Sequence, residues 1–270
     1  MRSLFALILA FLALSVGAAE VKVLSPVSAV LQDGSEVYLG LVGPGQTVFV
    51  EADALVATGG VNGIGGRWDQ LVIDRAPQGW STEPSLLYEQ PLKALVKVAS
   101  DAPDGEYEIL VRVVDDQNKE QLGEVNLKLR INVSRDVLSM SVSPSRKETG
   151  ASQPASFIVT LRNTGIASDA FEISASGLPA WDFRKTVFVP YGSSREVPYD
   201  VVSGEEGAFT VKIVTRSLSS DRISEVKDVH LGVSTTLISD YKATNKGLLL
   251  FPMFEQAAYA VMGLLSNLFS

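Results

Sequence analysis

The chain of 270 residues contains no cysteine and a single histidine, His230. Without cysteine it can form neither disulfides nor zinc-thiolate or iron–sulfur centres, and a thiolate nucleophile is excluded. A Ser-His-Asp site would also need a nucleophile on a strained turn and an oxyanion hole, and no motif in the sequence marks either. Val229, Leu231 and Val233 alternate with polar neighbours, so His230 is predicted to lie on the exposed face of a strand. We also predict that the chain has no catalytic residue and no cofactor.

Positive charge is also scarce, with 23 lysines and arginines against 31 aspartates and glutamates. An acidic chain repels nucleic acid and anionic lipid headgroups, so we expect neither as a partner. The acidic residues at Asp101, Asp104 and Glu106, and the pair at Asp115 and Asp116, are too sparse for a calcium site of roughly six to eight oxygen ligands. We interpret these clusters as solvated turns.

Helical periodicity is almost absent between residues 20 and 236. Apolar residues instead alternate with polar ones, most clearly from Val125 to Val133. A strand with one buried and one wet face is typical of an antiparallel sheet. Because turn residues punctuate these short runs and no helix intervenes, the sequence predicts an all-β protein built as a β-sandwich.

The sequence repeats itself after about 101 residues. The stretch Pro77–Trp80 returns at 178–181, the run 104–111 returns at 206–213, and the run 124–134 returns at 225–234. This period is too long for a solenoid unit and has the size of one domain. We predict two tandem sandwiches, 20–134 and 135–235, with almost no linker between them. Trp80 and Trp181 are predicted to anchor the two cores, and sugar stacking is the alternative role.

Three motifs of the second unit resemble the NEW3 modules, which are immunoglobulin-like sandwiches often appended to glycosidases and to archaeal and bacterial surface proteins. The motifs are the strand and Asn-Thr-Gly turn at 157–165, the Pro-Ala-Trp element at 179–181, where Ala180 replaces a glycine, and the turn at 189–193. The first unit shares the Pro-x-Gly-Trp element but has no Asn-Thr-Gly turn. The resemblance implies two immunoglobulin-like sandwiches that serve as packing, spacing or binding units and are not themselves enzymes.

A glycine-rich segment, 59–66, distinguishes the first unit from the second. A phosphate-binding loop would need a helix after it, whereas the residues from Arg67 onward have the pattern of a strand. We interpret the segment as a loop or wide hairpin. If the first unit has a binding loop, Gly63, Gly66, Arg67 and Trp68 are its candidate residues.

The N-terminus of the chain has the pattern of a segment that directs export. The chain begins with Arg2 and a run of mostly apolar residues from 4 to 16, followed by Gly17-Ala18-Ala19. That order is typical of a secretory signal peptide over residues 1–19, cleaved after Ala19; a retained N-terminal anchor is the alternative.

The triplet beginning at Asn132 is an N-glycosylation acceptor and is predicted to lie on the wet face of the last strand of the first unit.

Residues 247–269 form an apolar run with one charge, Glu255, after a short stalk at 236–246. The run is long enough for a hydrophobic helix that crosses a bilayer. Two alternatives are a helix that lies in the interface or docks on a membrane partner, and a core or dimerisation helix. Glu255, Tyr259 and Ser266 share one narrow stripe, which is predicted to face a partner helix because polar groups within a membrane seek protein or water.

These observations predict an exported protein with extracytoplasmic domains and a membrane-bound C-terminal helix. Its expected role is structural, adhesive or complex-forming in an archaeal or bacterial cell envelope, with another membrane protein or a surface glycan as partner. An accessory carbohydrate-binding protein is the first alternative, and a hydrolase with an unrecognised site is the second. An exposed aromatic platform would favour sugar binding, aromatics within the cores would favour a scaffold, and a carboxylate pair in a cleft would favour an enzyme.

Overall fold

The computed structural model describes residues 19–61, 63–116 and 121–235, and within these ranges every regular element is a β-strand. The strands of the first module are β1 (Val21–Ser25), β2 (Ala29–Leu31), β3 (Glu36–Val42), β4 (Thr47–Ala52), β5 (Leu55–Val56), β6 (Gly66–Arg67), β7 (Gln70–Arg75), β8 (Ser81–Glu83), β9 (Leu92–Lys97), β10 (Gly105–Val114) and β11 (Glu124–Val133). The strands of the second module are β12 (Leu138–Ser143), β13 (Arg146–Thr149), β14 (Ala155–Asn163), β15 (Asp169–Ser176), β16 (Arg184–Val189), β17 (Ser194–Val201), β18 (Gly207–Ser217) and β19 (Ser224–Val233).

The first module is a sandwich of two sheets, with strand orders β2-β1-β4-β9-β8 and β3-β11-β10-β7. Its first segment changes sheets: β1 pairs with β4 in one sheet, and β3 then pairs in parallel with β11 in the other. The remaining neighbours in both sheets are antiparallel. This pairing is typical of immunoglobulin-like sandwiches, and the expectation of such an all-β fold is confirmed.

The second module has the same plan with one strand moved. Its sheets run β12-β14-β17 and β13-β19-β18-β15-β16, and β13 again pairs in parallel with the last strand. In the first module β8 joins β9, whereas in the second β16 joins β15 of the opposite sheet. The two modules therefore share seven strand positions and differ in where the eighth one pairs, and β2, β5 and β6 of the first module have no counterpart among the strands of the second.

Alternation of apolar and polar residues explains how each sheet acquires one buried face. In β11 the odd-numbered residues from Val125 to Val133 are buried, while the residues between them are exposed or half-buried. The inward faces form one core in each module, the first around Trp68 and Ile109 and the second around Phe157 and Tyr199. Burial of this apolar area drives the folding of a chain that has no disulfide.

The repeat seen in the sequence is also visible in the backbone. Gly79 and Ala180 occupy equivalent places before a tryptophan, and both have a positive φ, +83° and +53°. The tryptophans that follow, Trp80 and Trp181, are half-buried and pack against the edge of their own cores. Both side chains therefore contribute to their cores without being enclosed by them.

The predicted membrane elements lie outside the described residues. These are residues 1–18 of the signal peptide, the stalk at 236–246, and the helix at 247–269 with Glu255, Tyr259 and Ser266. Among the residues that the structure does describe, no helix is long and apolar enough to cross a bilayer.

Candidate functional site

Two regions of the molecule bring together side chains that could serve a function. One is the joint between the modules, and the other is the end of the first module that is farthest from the joint. The second region is named the tip and comprises the loops 53–69 and 84–91. These loops lie at one end because β4 ends at Ala52 opposite Leu92, where β9 begins, and β10 ends at Val114 opposite Gln70, where β7 begins.

The glycine-rich segment forms part of the tip and leads into strands. Gly66 lies in β6 opposite Val56, and Gly63 donates its N–H to the carbonyl of Gly60 across 3.2 Å. The element that follows is β7, so no helix N-terminus is available for an anion. The interpretation of this segment as a hairpin loop therefore holds, and the structure gives it no phosphate-binding geometry.

Arg67 joins the two loops of the tip. Its guanidinium donates a hydrogen bond to the carbonyl oxygen of Tyr88, and its central carbon lies 5.9 Å from the centre of the Tyr88 ring. The backbone N–H of Tyr88 in turn donates to the carbonyl of Asp69 across 2.9 Å. Arg67 thus has a structural task in addition to any contact with a ligand.

Trp68 does not face the surface. Its side chain is 0% exposed and belongs to the first core. The neighbouring backbone explains this placement, because the Trp68 N–H donates to the carbonyl of Ala54 across 2.7 Å and directs the indole between the sheets. Of the four candidate residues of the loop, Trp68 is therefore the one that cannot touch a ligand in this conformation.

The second loop of the tip exposes apolar side chains that were not predicted from the sequence. Leu86 and Leu87 are 74% and 53% exposed, and Tyr88 is also exposed. Across the tip, Leu55 is exposed as well and pairs with Arg67 between β5 and β6. Three consecutive apolar residues in a turn after Pro84-Ser85, outside any alternating strand pattern, were the signal that could have identified this surface.

Ser85 holds the second loop in place. Its hydroxyl accepts the N–H of Leu71 across 2.9 Å, and its own N–H donates to the Leu71 carbonyl across 2.9 Å. The Gln70 side-chain amide donates to the Ser85 carbonyl across 2.7 Å. Because Ser85 is buried, these bonds are shielded from water, and the apolar residues that follow it are presented in a fixed position.

The joint between the modules contains a buried carboxylate. Asp169, at the start of β15, accepts hydrogen bonds from the Gln46 side-chain amide across 2.7 Å and from the Ser217 hydroxyl across 2.6 Å, both at Oδ2. Its Oδ1 accepts the Ser219 hydroxyl across 2.7 Å and the Ala170 N–H across 2.8 Å. Gln46 comes from the first module and the other donors from the second, so the carboxylate couples the two modules.

Backbone and apolar contacts complete the joint. The Ile166 N–H donates to the carbonyl of Leu41 across 2.8 Å, and Ile166 packs against the first core while Leu41 packs against the second. Arg222 donates to the Asp101 carbonyl across 3.0 Å. A Cβ added at Gly45 would lie 2.4 Å from the Ser219 carbonyl oxygen, so only glycine permits this approach of the two backbones.

The other polar residues singled out in the sequence are dispersed. His230 is exposed on β19, as predicted, with its Nδ1 3.5 Å from the Thr210 hydroxyl. Asn132 is half-buried on β11, opposite Glu106 and beside Leu41 at the joint end of the module. Within the described ranges, no three side chains of histidine, aspartate or glutamate are grouped as a metal site would require.

The aromatic side chains near Trp181 form a cluster between the segment that precedes β16 and strand β17. The ring centres of Trp181 and Phe183 are 6.0 Å apart with a 53° angle between the planes, and Phe183 lies 5.7 Å from Tyr199. The Tyr199 hydroxyl donates to the Phe183 carbonyl across 2.5 Å, and burial raises the pKa of Tyr199 above its ordinary value. Because Phe183 is exposed but tilted against Trp181, these rings form no flat platform.

Comparison with known proteins gives no family for the chain. No family model matches, and neither does any curated protein. The resemblance to NEW3 modules therefore stays a prediction, whereas the immunoglobulin-like fold follows from the strand pairings described above.

Matches to solved structures are at low identity and have TM-scores below 0.5. A β-glucosidase from Listeria innocua matches with a TM-score of 0.27 and 15% identity over 35% of this chain and 16% of its own length. A chimeric titin Z1Z2 pair matches with a TM-score of 0.36 and 11% identity, over 82% of this chain and all of its own. The PKD domain of an M14-like peptidase from a Thermoplasmatales archaeon matches with a TM-score of 0.25 and 13% identity, over 37% of this chain and 94% of its own.

Proposed function

We propose that the protein is a non-catalytic spacer of the cell envelope: an exported chain, held at the membrane by residues 247–269, in which two immunoglobulin-like modules act as one stiff unit. The observation that supports it is the buried joint, where the Asp169 carboxylate takes up Gln46 of one module and Ser217 and Ser219 of the other. A buried charge that is fully hydrogen-bonded tolerates little displacement of its partners, because each lost bond leaves the charge unsatisfied.

The direction of the last strand supports this proposal. In the second module β19 begins at Ser224, beside the loop 218–223 of the joint, and ends at Val233 opposite Gly207, at the far end of the sandwich. The residues that follow lead into the apolar segment. A chain anchored there would carry the tip of the first module away from the bilayer.

Fractionation of membranes from cells that express the full chain tests the anchor. The full chain is expected to stay in the membrane pellet after carbonate extraction, whereas a chain that ends at residue 246 is expected in the soluble fraction. The reason is that 23 residues at about 1.5 Å each span roughly 34 Å, enough for a hydrocarbon core of about 30 Å. Release of the full chain by carbonate would contradict the anchor.

Carbohydrate binding is the competing proposal, and Trp181 with Phe183 would be the residues that carry it. Phe183 is the more exposed of the two, so Phe183→Ala removes aromatic surface with little effect on the core. Affinity electrophoresis in gels that contain soluble polysaccharides separates the proposals. A spacer migrates alike with and without Phe183, while a glycan-binding protein is retarded by one polysaccharide and released by Phe183→Ala.

A further inference from the structure

The two loops of the tip together expose four large apolar side chains. Leu55, Leu86, Leu87 and Tyr88 are all exposed, and they are named the tip patch. Register places Leu55 beside Arg67, and Arg67 contacts Tyr88, so the two loops form one surface. Clustered apolar side chains in water have an energetic cost that a soluble surface normally avoids, and such clusters mark interaction sites.

The tip patch is also held in shape before any partner arrives. Buried Ser85 fixes the start of its loop, and the Glu89 carboxylate accepts the N–H of Leu86 across 3.2 Å. Arg67 fixes Tyr88 from the other loop. Association costs less entropy when the contact residues are already ordered, so this geometry favours binding over random apolar exposure.

The corresponding end of the second module already binds a protein surface. Its loops 164–168 and 218–223 correspond in chain order to the tip loop after β4 and the loop after β10, and they provide Ile166 and Ser219 to the joint. In the first module the same end carries the tip patch instead. This end of the second module therefore docks on a neighbouring module, and the same end of the first module carries exposed apolar side chains.

Charge narrows the kind of partner. Residues 20–134 contain 9 lysines and arginines against 17 aspartates and glutamates, whereas residues 135–235 contain 11 against 12. The Asp53 and Glu89 carboxylates accept the N–H groups of Leu55 and Leu86 in the tip patch, while Arg67 is the positive group that contacts Tyr88. An acidic module attracts a basic surface and repels a second copy of itself and anionic lipid.

We propose that the tip patch is the docking surface for another protein, whose contact surface is apolar at its centre and carries lysine or arginine at its rim. This inference rests on the proposed spacer function, since it gives the spacer something to hold. Leucine and tyrosine side chains supply the buried area, and the surrounding carboxylates select the basic rim and speed the encounter.

Selection of random twelve-residue peptides displayed on phage, against the full chain immobilised at its C-terminus, tests the proposal. The selected peptides are expected to combine apolar residues with lysine or arginine. Leu86→Ser with Leu87→Ser is expected to weaken their binding at least about tenfold, because it removes two central apolar contacts. Raising the salt from about 0.05 to 0.5 M is expected to weaken binding further by screening the carboxylates.

Leu218→Ser is the matched control, because Leu218 is 60% exposed but lies in the second module. It is expected to leave peptide binding unchanged, and thermal unfolding followed by circular dichroism should show that both variants fold. Peptides that bind the tip variant as well as the wild type, or that are acidic, would overturn the proposal. Phosphatidylcholine vesicles that bind a chain ending at residue 246, but not the same chain with the two serine substitutions, would also overturn it, since the patch would then be a membrane-inserting surface.

The outcome is separable from that of the spacer proposal. A chain that stays in carbonate-washed membranes but selects no tip-dependent peptide contradicts the docking surface alone. A chain that selects such peptides but leaves the membrane with carbonate contradicts the anchor alone.

Discussion

At the scale of single residues, comparison of the two repeats identifies an alanine with a strained backbone. Ala180 has φ +53°, in the left-handed region, where its counterpart in the first module is Gly79. A Cβ in that conformation crowds the following carbonyl and costs about 1–2 kcal/mol, part of which glycine loses again through its greater freedom in the unfolded chain. The departure from glycine that the sequence showed at this turn therefore has a measurable energetic consequence.

Ala180→Gly is expected to raise the free energy of unfolding by about 1 kcal/mol, because it relieves this crowding. The measurement is urea denaturation followed by tryptophan fluorescence. Ala175→Gly is the control, since Ala175 lies within β15 and the same change there should lower stability by about 0.5–1 kcal/mol. A lower stability for Ala180→Gly would show that the turn tolerates alanine without strain.

The tryptophans give a second residue-scale prediction. Trp68 is fully buried, whereas Trp80 is half-buried with its ring centre 5.3 Å from that of Tyr107. Trp68→Ala is expected to lower the free energy of unfolding by about 3–5 kcal/mol, and Trp80→Ala by distinctly less. Chemical denaturation of both variants measures the difference, and equal losses would contradict the burial seen here.

This comparison also shows what the sequence could and could not predict about side chains. Motif equivalence identified Trp80 and Trp181 as core residues, and both do pack on their cores. It placed Trp68 beside a binding loop, because composition next to a glycine run does not reveal which way a side chain points. That direction depends on the hydrogen bond from Trp68 to the Ala54 carbonyl, which is a contact between distant backbone segments rather than a local pattern.

At the scale of elements, the different position of the eighth strand leaves an edge in the second module. β17 pairs only with β14 among the described strands, because β16 pairs with β15 instead of covering it. Pro198 sits in this edge strand opposite Ile158, and its carbonyl accepts the ammonium of Lys185 across 2.8 Å. A proline on an edge removes an outward N–H and so hinders pairing with another chain.

Pro198→Thr is therefore expected to increase self-association, because it restores a free N–H on the edge of β17. Sedimentation velocity at rising protein concentration measures this as a larger sedimentation coefficient than that of the wild type. Pro103→Thr, in a turn outside the strands, is the control and should sediment like the wild type. Identical sedimentation of Pro198→Thr and wild type would show that Pro198 does not protect the edge.

The elements themselves were the part of the fold most accessible from sequence. Period-two alternation in β10, β11, β14 and β18 located these strands, since burial of one sheet face imposes that pattern. The pairing of β8 and β16 with different sheets could not be predicted from the sequence. Both strands are short or weakly alternating, and the sheet that each one joins depends on packing within its own module.

At the scale of the whole molecule, the stiffness of the two-module unit depends on the joint. The short segment between β11 and β12 indicated that the two modules have limited freedom to move relative to each other. The bond between Gln46 and Asp169 carried no sequence signal, because these two residues are 123 positions apart in the chain. Removing the carboxylate leaves the Gln46 amide and two hydroxyls without their shared acceptor in a buried site. Each such loss costs about 1–3 kcal/mol, which is enough to loosen a joint of this size.

The most direct test uses the absence of cysteine. Spin labels at Lys128→Cys in the first module and Lys212→Cys in the second, both exposed, report the distance between the modules by pulsed electron resonance. The account predicts one narrow distance distribution for the full chain, broadened by Asp169→Ala but not by Asp228→Ala, which removes an exposed carboxylate. A broad distribution in the full chain, or one that Asp169→Ala leaves unchanged, would contradict the claim that this joint makes the two modules one stiff unit.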